Sequence, residues 1–144
     1  MGKKRIVKKT TSGVNQELRA RALGRAPKKK VEKGILNIQS TYNNTMLSLA
    51  DEKGNIIIWA SAGSIGFKGA RKGTPYAASK VAELVAEKAR MVGLKNISIN
   101  VKGVGSGRES AVRSFLANEF ALDTIRDVTP IPHNGPKPPK PRRV

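Results

Sequence analysis

Residues 35–60 read ILNIQS-TYNN-TMLSLA-DEKGN-IIIWA, and this stretch decides the fold. Residues 35–40 and 45–50 alternate apolar and polar side chains as half-buried strands do, and residues 56–60 form an apolar run of strand length. Thr41-Tyr42-Asn43-Asn44 and Asp51-Glu52-Lys53-Gly54-Asn55 are polar turns, Gly54 and Asn55 tolerating positive φ. Connections this short join antiparallel neighbours, so the pattern predicts a three-stranded meander.

Beyond it the period changes. Thr74 followed by Pro75 reads as a helix cap with proline at the first helical position. Ala77, Val81, Leu84, Val85 and Val92 recur at helical spacing, and Gly93 reads as the C-terminal stop. A fourth strand is predicted over 96–101 (NISINV), a tight turn over Gly103–Gly107, and a second helix over 109–120 with Val112, Phe115, Leu116 and Phe120 inward. A last strand is predicted over 123–128. The order β-β-β-α-β-α-β predicts an α/β fold with a mixed sheet, antiparallel at the start and parallel later. Trp59, Phe115 and Phe120 are expected in its core.

The 144 residues carry 28 Lys and Arg against 10 Asp and Glu, a formal charge of +18. Self-repulsion of this size is offset by a polyanion partner, which points to nucleic acid. The excess is uneven. Residues 1–33 hold net +10, residues 34–135 net +4, and residues 136–144 net +4. The ends lack apolar periodicity, and the tail Pro136-Lys137-Pro138-Pro139-Lys140-Pro141-Arg142-Arg143 should be extended. The chain therefore divides into a basic N-terminal extension (1–33), an α/β RNA-binding body (34–129) and a Pro/Arg/Lys-rich tail (130–144). The ends read as cationic arms along phosphates, with Lys28, Lys29 and Lys30 as contacts in the first. The bland alternative is two solvated tails. A transit peptide fits less well, since lysine outnumbers arginine in the first segment.

Other classes are excluded by composition. The absence of cysteine removes disulfides, cysteine-ligated zinc, iron–sulfur sites and a thiol nucleophile. A single histidine, His133, gives no His-based metal or catalytic cluster. No apolar run approaches the roughly 18 residues of a membrane span, and none follows the basic start as in a secretory signal. Neither a cofactor, a metal, a membrane nor a small-molecule substrate is expected.

Two glycine-rich segments run from a strand end to a helix start. In Ala62–Pro75, glycines would let backbone approach a phosphate while Lys68, Arg71 and Lys72 add charge; Ser64, Gly66, Phe67 and Gly69 belong to the same candidate surface. The spacing fails the nucleotide P-loop pattern. In Lys102–Ser110, Gly103, Gly105 and Gly107 resemble a dinucleotide fingerprint, but Arg108 stands where the last glycine is needed. Arg108 at the helix start could serve a phosphate or be structural. The six aromatics are scattered, so phosphate and shape contacts should dominate over base stacking, with Phe67 the one ring considered for RNA. No acidic residue occupies an inward position of the first strand, where a two-metal nuclease would need one. An enzyme is therefore the weaker reading, and a general DNA-compacting protein is the third.

Tyr42-Asn43-Asn44-Thr45, Trp59–Gly63, Gly66–Lys72, Thr74–Ala78, the Gly103–Ser110 turn and Asp127-Val128-Thr129-Pro130-Ile131-Pro132-His133-Asn134-Gly135 occur in that order. Together they closely resemble the small-ribosomal-subunit protein eleven family in its bacterial form, over about residues 34–144. The resemblance implies a ribonuclease H-like fold without nuclease carboxylates and no enzymatic activity. It implies a structural role on the platform of the small subunit, bridging helices of 16S-type rRNA beside the cleft where mRNA pairs with the rRNA 3′ end. The implied neighbours are small-subunit proteins seven and eighteen, mRNA and an initiation factor, in a cytoplasmic rather than organellar ribosome. By this resemblance Asn43, Asn44, Lys68, Arg71, Lys72, Gly105, Gly107, Arg108, His133, Asn134, Gly135, Lys137, Lys140, Arg142 and Arg143 face RNA or its surroundings.

Overall fold

The computed structural model describes residues 14–25 and 27–143. The basic runs at 3–5 and 8–9 lie outside the described residues.

Five strands form one sheet: β1 (Lys33–Ser40), β2 (Thr45–Asp51), β3 (Ile56–Ser61), β4 (Asn96–Lys102) and β5 (Ala121–Asp127), in the spatial order β3-β2-β1-β4-β5. The β1–β2 and β2–β3 pairs are antiparallel, while β1–β4 and β4–β5 are parallel. The expected mixed sheet is therefore present. The helices between the later strands are α2 (Pro75–Val92) and α3 (Arg108–Leu116). The cap of α2 is as expected: the Ala77 amide donates to Thr74 Oγ1 at 3.3 Å, and Gly93 (φ +85°) turns its N–H back onto the last turn.

Alternation decides which face is buried. Leu36, Ile38, Leu47, Leu49, Ile58, Ala60, Ile97, Ile99 and Val101 point toward the helices, and α2 answers with Val81, Leu84, Val85 and Val92. The helix α2 lies over β2 and β3, α3 over β1 and β4, and the two pack on each other. The other face stays open. Across it, register aligns Trp59, Ser48, Asn37, Asn100 and Arg126 in one row, and Asn100 Nδ2 donates to Asn37 Oδ1 at 3.2 Å.

Four expectations need correction. Trp59 is not core: it is 60% exposed, because Ile58 and Ala60 on either side of it face inward and period 2 sends residue 59 outward. The run of four apolar side chains over 56–59 hid that alternation. Phe67 is not a surface ring but 5% exposed, with Tyr76 edge-on to it at 5.9 Å. The second helix stops at Leu116 rather than at residue 120. Asn118 Nδ2 donates to the Ser114 carbonyl at 2.9 Å, Glu119 takes φ +64°, and β5 begins at Ala121. Phe120 then stacks on the buried Phe115, with centroids 4.8 Å apart, from outside the helix.

Finally, the basic N-terminal segment contains a helix, α1 (Gln16–Gly24), that periodicity did not announce because none of its residues is buried. Leu18, Ala22 and Leu23 are half-buried, Ala22 and Leu23 packing against the core, and polar anchors complete its hold. Asn15 caps it by accepting from the Glu17 amide at 3.0 Å, the Asn15 amide donates to the Ile65 carbonyl at 2.8 Å, and Arg19 pairs with Glu87 on α2.

Candidate nucleic-acid interface

Because β2 alone runs against the other four strands, the connections leaving β1, β3, β4 and β5 all emerge at one end of the sheet. In α/β sheets that end, outside the carboxyl ends of the strands, is where ligands gather. Here it collects the Thr41–Asn44 turn, the loop over 62–74, the turn over 103–107 and the start of the tail.

The parts are fitted closely. Thr41 N–H donates to the Asn44 carbonyl at 2.8 Å, and the Thr41 hydroxyl accepts from Asn44 N–H at 3.1 Å, closing the first turn on itself. Gly73 lies against that turn so tightly that a Cβ would meet the Tyr42 carbonyl oxygen at 2.2 Å. A Cβ on Gly105 would meet the Thr41 carbonyl oxygen at 2.3 Å and Ser40 Oγ at 2.4 Å. Gly73 and Gly105, which suggested phosphate approach, are thus required first for packing loop on loop. Ser106 Oγ donates to the Gly73 carbonyl at 3.0 Å and Ser110 Oγ to the Pro75 carbonyl at 2.9 Å, tying the two glycine-rich segments together.

Arg108 is committed within the protein. Its guanidinium donates to the Gly103 carbonyl, to Thr129 Oγ1 at 3.1 Å and to Asp127 Oδ2 at 2.6 Å. Thr129 in turn donates its hydroxyl to Asp127 Oδ1 at 2.6 Å and accepts from Gly103 N–H at 3.1 Å. The Thr129 hydroxyl and amide, followed by Arg108, hold the Asp127 carboxyl down to about 2. This cluster fixes where the tail leaves the sheet. Of the two readings of Arg108, its geometry favours the structural one.

The other candidate residues sort by position. Lys68 and Arg71 are exposed beside the packed loops, and Lys72 is half-buried. Asn43 is exposed in the turn at this end, and His133, Asn134, Gly135, Lys137, Lys140, Arg142 and Arg143 are exposed along the tail that starts there. Asn44 is half-buried, and its buried Oδ1 meets no partner among the described residues. The Ser64 hydroxyl is occupied by Ser61, donating to its carbonyl at 2.7 Å and accepting its amide at 3.0 Å. Gly66, Gly69 and Gly107 shape the loops without offering side chains. Lys28, Lys29 and Lys30 are not brought to this end, since they precede β1 and lie at the opposite end of the sheet. There Lys29 Nζ meets Asp51 Oδ2 at 2.9 Å, and that bond, with the Asn55 amide, keeps the Asp51 carboxyl well below the usual carboxylate range. Lys102, exposed at the end of β4, joins the cationic group; its place directly before the second glycine-rich turn was the available signal.

An α/β body that gathers cations outside the carboxyl ends of its strands, with a basic tail fastened at the same place, has the build of an RNA-binding structural protein. A family model described as Ribosomal protein S11 matches residues 34–143, and the chain belongs to that family. It is a small-subunit ribosomal protein that binds rRNA, a structural constituent of the ribosome rather than an enzyme, and works in translation beside other ribosomal proteins.

Proposed function

We propose that this protein is the bacterial-type member of its family and bridges rRNA helices on the small-subunit platform, beside the cleft where mRNA pairs with the rRNA 3′ end. The observation that carries the reading is the convergence of the Ala62–Pro75 loop, the Gly103–Gly107 turn and the tail at one sheet end. A rigid body that presents a cationic loop and a cationic tail on either side of a turn preceded by Lys102 can hold RNA strands that meet there. The exposed residues Asn43, Lys68, Arg71, His133, Asn134 and the tail cations, with the half-buried Lys72, are its contacts, and Arg108 positions the tail. The Lys28–Lys30 segment serves RNA from the other end of the body, through Lys28 and Lys30.

The order β3-β2-β1-β4-β5 supports the ribonuclease H-like reading we adopt, in which the inward positions of β1 carry Leu36 and Ile38 rather than carboxylates. Protein neighbours fit best at β5. This edge strand is exposed along its whole length, and Leu122 and Ile125 stand 41% and 52% exposed near Glu119, Asp123 and Asp127. An apolar edge on a strongly cationic protein suits a protein rather than an RNA neighbour, and small-subunit proteins seven and eighteen are the neighbours we assign. An initiation factor and mRNA lie near the tail, in a cytoplasmic ribosome.

Sedimentation of the tagged full chain tests this. Co-migration with free small subunits at low magnesium and with whole ribosomes at high magnesium is expected, with rRNA cleavage from probes tethered at Lys68 and Lys140 falling in platform helices. Cleavage confined to another region of the subunit would overturn the placement.

A further inference from the structure

Along the β3 edge, between α1 and α2, lies a cavity of about 340 Å³ that shares only Ser64 with the loop over 62–74. Three cations line it: Arg21 and Arg25 from the α1 segment and Lys88 from α2. No acidic side chain does so among the described residues. Lys88 is only 7% exposed and forms no ion pair with a described residue. A buried ammonium is costly unless an anion or acceptor meets it. Burial, and then the neighbouring Arg25 charge, push Lys88 below its ordinary value, so Arg25 adds to the cost. At the rim stand Ile57 and Trp59, the indole 60% exposed. The volume falls at the small end of the range for ligand sites, about 300–1,000 Å³.

We propose that this cavity binds one nucleotide unit of a single-stranded RNA segment, its phosphate held by Arg21, Arg25 and Lys88 and its base laid on Trp59. Three cations without a carboxylate supply the anion site, and an exposed indole beside them supplies the sequence-tolerant stacking platform of single-strand binders. The helix α1, held by its polar anchors and by the half-buried Ala22 and Leu23, carries two of the three cations to the sheet edge. This rests on the RNA-binding role above but concerns a second contact, remote from the tail.

Trp59 is the only tryptophan in the chain, so its emission reports on this site alone. The full-length protein is titrated with oligouridylate and, separately, with small-subunit rRNA. Both should quench Trp59, and inorganic phosphate should compete with the oligouridylate. Lys88→Met should weaken oligouridylate binding roughly tenfold, and Arg21→Gln with Arg25→Gln, at exposed positions, should do the same. Lys88→Met should leave the free protein folded, with a far-ultraviolet circular-dichroism spectrum like that of the parent, so that its binding loss is not one of folding. Retained rRNA binding with unchanged Trp59 emission would overturn the proposal, as would unaltered oligouridylate affinity in both variants. Loss of rRNA binding with oligouridylate quenching intact would instead strike the ribosomal placement and leave the cavity assignment standing.

Discussion

Arg108 and Asp127 meet at 2.6 Å, joining the first residue of α3 to the last residue of β5. Their contact and Thr129 define the direction in which the tail leaves the body. Arg108→Ala should therefore act on the tail more than on the core. Faster amide exchange at Gly103 and Thr129, with little change in the protection of β1 and β4, is the expected result. Exchange quickening equally throughout the sheet would show a global role instead.

The same cluster sets an acid response. The folded Asp127 carboxyl lies near 2, below its ordinary value, so its stabilisation is complete above that ordinary value and drains as pH falls toward 2. For an unfolded carboxyl of about 3.9, the window runs from about pH 4 to pH 2. Asp127→Asn should flatten part of the stability loss in that window, with Asp51 supplying the rest. Circular-dichroism melts of both proteins across the window check this.

Gly105 touches the β1–β2 turn with no space for a side chain. Gly105→Ala should cost about 1–3 kcal/mol, as overpacking does. Gly24→Ala is the control, since a Cβ there meets nothing within 4 Å, and its expected effect is within about 0.5 kcal/mol of zero. Urea titrations that rank the two equally would contradict the packing account.

Phe67 now belongs to the core, so Phe67→Ala should destabilise by about 3–5 kcal/mol. Any loss of RNA affinity should track the unfolded fraction. A folded Phe67→Ala variant with much weaker RNA binding would restore the ring to the interface.

Phosphate contact has a salt signature. With roughly eight cations engaged, log K should fall against log salt with a slope of about −6 to −7. Replacing Lys68, Arg71 and Lys72 by glutamine should reduce that slope by about 2–3. A slope unmoved by the triple substitution would remove this loop from the interface.

Much of this molecule was legible in one dimension. Strand alternation in β1 and β2, the Thr74-Pro75 cap and the Gly93 stop are local signals, and each names its element because backbone geometry repeats every two or 3.6 residues. The errors arose where local signals were silent or shared. In Ile56–Trp59 four apolar residues in a row carry no face information, so only packing shows Trp59 outside. In α1, no residue is buried, so no stripe could announce the helix. Phe67 stands among cations in sequence, yet the chain returns its ring to the core.

The candidate interface divides in the same way. That Lys68, Arg71 and the tail cations are exposed could be read from a run of charges among glycines and prolines. The fates of Arg108, spent on Asp127, and of Lys29, spent on Asp51, could not, because their partners lie 19 and 22 residues away. The sequence by itself determined the element order, the sign and segregation of the charge, and the family. Tertiary structure decided which cations remain available, what the glycines are for, and that Arg21, Arg25 and Lys88 share one cavity. Charge and periodicity are properties of neighbours along the chain, whereas pairing, burial and close approach exist only once distant segments meet.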